Sequence, residues 1–300
     1  MRVVVVGCGY VGLALAEQLD DRGHAVTGVR RSDAGLDAVD AVAPDVEAVR
    51  ADATDPESLS ALPDADAVVF AASSGGRGAD AAREVYVDGL SNVVDEYGSR
   101  ASRPDRLVYT SSTGVYGDHD GGWVDEETPI DPTTEKTRVL AEAERVATER
   151  AADRGIDGTV VRFAGLYGPE RYRLERYVEG PVTAGYLNMV HRDDAAGSIR
   201  HLLEADRARD RAVLVVDDEP VDKHDFADWL ADACGVPRPE KLSKDERIAA
   251  GDLSAAAERR IRTSKRCSNA LLREFGYELV HPTFRSGYRD AVRAYRAETE

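Results

Sequence analysis

The feature that most restricts this chain lies at its start, where the β-branched run Val3-Val4-Val5-Val6 passes straight into Gly7-x-Gly9-x-x-Gly12. A helical pattern follows to residue 22, with Leu13, Leu15, Ala16 and Leu19 apolar, and Gly23-His24 stops it. Strand, glycine turn and helix in that order open the kind of β-α-β unit that receives a dinucleotide. Gly7 permits the tight turn, Gly9 lets a pyrophosphate approach the backbone, and Gly12 lets helix and strand pack closely. The helix-terminal amides, with Tyr10 and Val11 beside them, then face the phosphates.

The alternation continues. Strands are predicted at 25–29, 47–51, 67–72, 106–111 and 159–163, separated by helical patterns that include 79–97 and 133–154. This is the signature of an α/β, Rossmann-type doubly wound parallel sheet. Beyond Gly165 the pattern shortens into a strand at 212–216, helices at 194–204 and 223–234, and a charged stretch at 239–260. The expected organisation is an NAD(P)-binding domain over 1–165 and a smaller substrate-side subdomain over 166–300, partly interleaved with the first.

Cofactor choice is decided at the end of the second strand, where a carboxylate bonds the ribose hydroxyls of NAD and arginines pair with the extra phosphate of NADP. Val29-Arg30-Arg31-Ser32 stands there, so NADP is expected over NAD. Asp52, followed by Ala53, ends the third strand and either accepts from the adenine amino group or caps the helix that begins near Pro56. Ala71-Ala72-Ser73 ends the fourth strand, where small residues let a cofactor lie close to the backbone.

The charge balance removes other partners. With 39 basic and 56 acidic residues the formal charge is −17, which argues against phosphate backbones and anionic lipid. No stretch approaches the roughly 18 apolar residues of a membrane span. Lysine occurs only as Lys136, Lys223, Lys241, Lys244 and Lys265, and dense carboxylate with scarce lysine points to a halophilic protein. Cys8, Cys234 and Cys267 are widely spaced and suggest neither a metal site nor a disulfide framework, so a soluble, cytoplasmic protein is expected. Its expected partners are a small-molecule substrate, no nucleic acid, no membrane and, at most, a second copy as a homodimer.

Four further segments carry a resemblance. They are Tyr109-Thr110-Ser111-Ser112-Thr113-Gly114-Val115-Tyr116-Gly117, Val124-Asp125-Glu126-Glu127-Thr128-Pro129, Val161-Arg162-Phe163-Ala164-Gly165-Leu166-Tyr167-Gly168-Pro169 and His191-Arg192-Asp193-Asp194-Ala195. Together and in order they resemble the extended short-chain dehydrogenase/reductases, the NAD-dependent epimerase/dehydratases, over almost the whole chain. The resemblance implies that Ser112, four residues before the tyrosine of Val-Tyr-Gly, hydrogen-bonds the reacting carbonyl or alcohol. Such a hydroxyl at a strand end can donate to an oxyanion as charge develops. Ser111 and Phe163 fall on the cofactor side, and Thr113, Tyr116, Tyr167 and His191 on the substrate side. Asp194 is expected to cap or support the helix that follows it.

The family also pairs a tyrosine with a lysine four residues later on the next helix, the tyrosine acting as acid and base. Counting back eight and four from Glu142, the expected acidic position, puts Thr134 and Arg138 at those two places, and the pattern is therefore atypical. Threonine cannot titrate near neutrality, while arginine can still bind ribose hydroxyls. On that register Lys136, a turn of about 200° away, faces away from the cofactor. Arg171, Arg173 and Arg176 suggest a solvated charged loop, with an anionic substrate as the alternative. The segments 264–269 and 276–288 resemble the closing segment of these relatives, which folds against the cleft.

Two functions follow. One is an NADP-dependent oxidoreductase or epimerase-like enzyme acting on a hydroxyl or carbonyl of a small polar, nucleotide-sugar-like substrate. The other is a non-catalytic NADP-binding redox sensor or assembly module, which explains the lost pair more directly. A methyltransferase on the same fold is a third reading, against which the Val-Tyr-Gly and Tyr-Gly-Pro segments count.

Overall fold

The computed structural model describes residues 1–75, 78–251 and 253–299. Its framework is the stretch of strands β1 (Arg2–Val6), β2 (Ala25–Arg30), β3 (Glu47–Arg50), β4 (Ala67–Phe70) and β5 (Arg106–Ser112). In space they run β3-β2-β1-β4-β5, followed by Asp157–Phe163 and then Arg211–Val215, and every pair is parallel. The order reverses between β1 and β4, and the crevice at such a switch point is where doubly wound sheets bind ligands.

Period-two alternation explains why the opening valines make a central strand. Val3 and Val5 enter the core on one face of the sheet, with helix α1 (Tyr10–Asp20) and the helix Arg192–Glu204. Val4 and Val6 enter the core on the other, with the helix Leu90–Ser99. A strand covered on both faces has to be apolar throughout, and this one is. The predicted 79–97 helix runs as Ala79–Arg83, a wider π-helical segment Glu84–Gly89, and Leu90–Ser99.

After residue 165 the chain returns to the main sheet through Arg211–Val215. The remainder forms two-residue and three-residue pairings and a third apolar cluster around Phe226, Phe284 and Tyr288. Within this part Arg266–Cys267 pairs with Trp123–Val124, and Lys265 Nζ donates to the Gly117 carbonyl at 2.9 Å, so the closing segment is tied to the loop after β5. No helix among the described residues is long and apolar enough to cross a membrane.

Candidate active site

A cleft of about 990 Å³ opens at the carboxyl ends of β1, β2, β4 and β5. Its floor is the glycine turn. Gly7 adopts φ +82°, and a Cβ there would lie 2.2 Å from Ala72 Cα, so no side chain fits at position 7. A Cβ on Gly9 would meet the Arg30 guanidinium at 3.0 Å, and one on Gly12 would meet the Gly7 carbonyl at 3.1 Å. Ala71, Ala72 and Ser73 form the adjoining wall, beside Tyr10 and Val11. Bare backbone at the start of α1 and a cavity of this size suit a dinucleotide.

One end of the cleft is lined by Arg30, Arg31, Ser32, Asp52 and Ala53. Arg30 Nη1 donates to the Cys8 carbonyl at 2.9 Å, which folds the guanidinium over the glycine turn. Arg31 is exposed and reaches Asp52 at 3.6 Å. Ser32 caps the helix Asp33–Asp40, accepting from the Gly35 amide. Asp52 does not cap the helix at Pro56, a task that falls to Asp55. Its carboxylate accepts from the amide and hydroxyl of Thr54, and these bonds, with Arg31 nearby, hold it below the usual carboxylate range despite partial burial.

At the other end β5 delivers Ser111 and Ser112, facing Phe163. Ser112 Oγ accepts from the Gly114 amide at 3.1 Å, which orients the hydroxyl and leaves its proton available to donate. Ser111 Oγ donates to Glu144 Oε1 at 2.6 Å. Glu144 is buried and pairs with Arg162, whose Nε and Nη2 reach it at 3.0 and 2.8 Å.

This network corrects the register of the facing helix, Glu135–Arg145. Glu142 points outward and pairs with Arg83 near the surface. The inward acid is Glu144, two residues on, and counting back eight and four from it gives Lys136 and Leu140. Both line the cleft. Thr134 is instead the helix N-cap, its hydroxyl accepting from the Thr137 amide at 3.0 Å, and Arg138 is exposed away from the cleft. Lys136, two residues along the helix from Thr134, lines the same cleft as Ser112. The signal was present in Arg162, a charge on a buried strand that needs a buried acid, and in Val139, Leu140, Ala143 and Ala147, whose spacing marks the inner face.

The four residues expected on the substrate side do not line the cleft. Tyr116 is fully buried and its hydroxyl accepts from Arg162 Nη1 at 2.6 Å. Tyr167 stacks on Tyr288 in the third apolar cluster, and Thr113 is buried beside Cys267. His191 is buried too. Its Nδ1 caps the helix Arg192–Glu204 by accepting from the Asp193 amide, and its ring lies 3.9 Å from that of His281. Asp194 lies in the first turn of that helix, whose cap is His191. It holds the C-terminal segment by accepting from the Tyr277 hydroxyl and from the amides of Val280 and His281.

His191, Asp193 and His281 bring donor atoms within 4.8 Å of one another, a grouping that their sequence spacing does not suggest. Nδ1 of His191 is already bonded to a backbone amide, and the Asp193 carboxylate to Arg192.

Comparison with known proteins agrees with this fold. The family model described as the NAD dependent epimerase/dehydratase family matches residues 3–218. Protein YeeZ of Escherichia coli strain K12 is 35% identical over 209 residues, spanning 68% of this chain and 73% of that protein. A solved structure from Methylobacillus flagellatus, provisionally assigned as an NAD-dependent epimerase/dehydratase, is 30% identical. It superposes with a TM-score of 0.76 over 100% of this chain and 99% of that one. The human epimerase family protein SDR39U1, solved with NADPH, shares the fold at 20% identity, with a TM-score of 0.76 over 98% of this chain and 99% of its own.

Proposed function

The chain belongs to the NAD-dependent epimerase/dehydratase family, and we propose that it is an NADP-linked oxidoreductase or epimerase-like enzyme acting on a hydroxyl or carbonyl of a small polar substrate. Family membership makes the cofactor a nicotinamide dinucleotide, which when bound supplies or accepts a hydride. Arg30 and Arg31 beside Ser32 support NADP, because two guanidiniums and a helix start suit a phosphate where a lone carboxylate would suit ribose hydroxyls.

The observation that carries the reading is that Ser112 and Lys136 line one void next to the glycine cradle. Ser112, oriented by the Gly114 amide, donates to the substrate oxygen as negative charge develops there. Lys136 presents an ammonium where the family expects a phenol, so a cation faces the same region. Ser111, Glu144 and Arg162 tie the strand that carries Ser112 to the helix that carries Lys136 and keep the two in register.

One observation favours a cofactor-binding module without turnover. Leu140 stands where the ribose-binding lysine is expected, so that contact is missing. The two readings separate when NADPH-loaded protein is mixed with a panel of aldehydes, keto sugars and nucleotide-sugars and reduced nicotinamide is followed in a single turnover, with product analysis for epimerisation. Turnover that Ser112→Ala abolishes supports the enzyme, and stoichiometric NADPH binding with no conversion supports the module.

A further inference from the structure

We propose that the reactive end of the cleft is an oxyanion subsite, and that the substrate is a small carbonyl compound carrying a carboxylate or phosphate held by Lys136 together with Arg173 and Arg171. The inference rests on the oxidoreductase reading of the same cleft and names its substrate class.

The charges lining the cleft are the first support. Five cations line it, Arg30, Arg31, Lys136, Arg171 and Arg173, against one carboxylate, Asp52, among the described residues. Asp52 belongs with Arg31 at the far end and so neutralises nothing near Ser112. In a chain of net charge −17 such a balance runs opposite to the whole.

The second support is the lack of internal partners. Lys136, Arg171 and Arg173 are exposed at the cleft, the side chains of Lys136 and Arg173 make no hydrogen bond or ion pair among the described residues, and Arg171 lies over the Tyr10 ring at 4.1 Å. Tyr10 also donates to the Pro169 carbonyl at 3.1 Å, so the loop carrying Arg171 and Arg173 is fastened to the glycine turn and held over the cleft. Cations that line a partly enclosed cavity without a counter-ion raise the local concentration of anions and pair strongly with carboxylate or phosphate oxygens.

Saturating the protein with NADP first keeps the cofactor's own phosphates out of the readout. Protein saturated with NADP is titrated calorimetrically with malonate and with inorganic phosphate at constant ionic strength, with neutral dihydroxyacetone as control. Variants are Lys136→Met, Lys136→Arg and Arg173→Gln, each checked for an unchanged melting temperature. The expected result is saturable anion binding to the loaded protein, weakened about ten-fold or more by Lys136→Met and by Arg173→Gln and largely retained by Lys136→Arg. NADP affinity should stay within about two-fold for Lys136→Met. Stronger malonate binding identifies a carboxylate substrate, and stronger phosphate binding a phosphorylated one. Anion binding that disappears once NADP is bound, or that ignores both substitutions, overturns the proposal. Ser112-dependent turnover of neutral carbonyls alone would do the same while leaving the proposed function intact.

Discussion

Glu144 and Arg162 form an ion pair 2.8 Å long whose side chains are only 8% and 9% exposed. The pair joins the helix Glu135–Arg145 to the centre of the sheet, and the Ser111 hydroxyl and Tyr116 complete it. Removing one member strands the other charge out of water, so Glu144→Ala should destabilise the protein by about 3–5 kcal/mol. Replacing both, as Glu144→Met with Arg162→Met, should cost much less. Chemical denaturation of the three variants checks this, and an unchanged Glu144→Ala midpoint would sink it.

His191 should make the fold sensitive to acid. Burial, the neighbouring His281 and Arg192 push its pKa down from 6.5 to about 4, with Asp193 and Asp290 opposing. A base whose folded pKa is depressed binds more protons when unfolded, so its contribution is fully present above about pH 6.5. It is lost as the pH falls toward 4, by at most about 3 kcal/mol. Stability measured between pH 7.5 and 4.5, a range of roughly one unit beyond the upper pKa and down near the lower, should fall less steeply for His191→Gln than for the unaltered protein. Parallel slopes would contradict the assignment.

Cofactor choice should follow the second strand. Arg30→Asp combined with Arg31→Ala should weaken NADPH about ten-fold or more while weakening NADH much less. Arg31→Ala alone separates phosphate recognition from the bond that Arg30 makes to the Cys8 carbonyl. Fluorescence titration of the two reduced cofactors reads the difference, and equal losses would refute the NADP reading.

An excess of 56 acidic over 39 basic residues predicts that the fold needs screening ions. The melting temperature should drop as potassium chloride is lowered from molar to millimolar concentrations. A melting temperature that ignores salt would remove the inference of adaptation to high salt.

What could be read before the structure, and what could not, divides along physical lines. The glycine turn, the strands and the cofactor wall depend on local chemistry: Gly7 needs positive φ and no Cβ against Ala72, and β1 needs apolar residues on both faces. These are written in adjacent residues. The facing helix was misplaced because Glu142 and Glu144 are equivalent to a pattern, and only the distant Arg162 and Ser111 distinguish them. Tyr116, Tyr167 and His191 went astray for a related reason. Motif position does not say whether an aromatic ring faces the cleft or the core, and the third cluster that buries Tyr167 includes Phe284 and Tyr288, more than a hundred positions away.

In the proposed reaction, hydride passes between the cofactor and a substrate oxygen-bearing carbon beside Ser112. The most direct measurement incubates the protein with NADPH stereospecifically deuterated at the nicotinamide C4 and a desalted metabolite extract, then searches by mass spectrometry for a deuterated product. Deuterium should appear in a small product, and Ser112→Ala should abolish its appearance while NADPH binding persists. Deuterium that stays entirely on the cofactor, with the protein fully loaded, would contradict it.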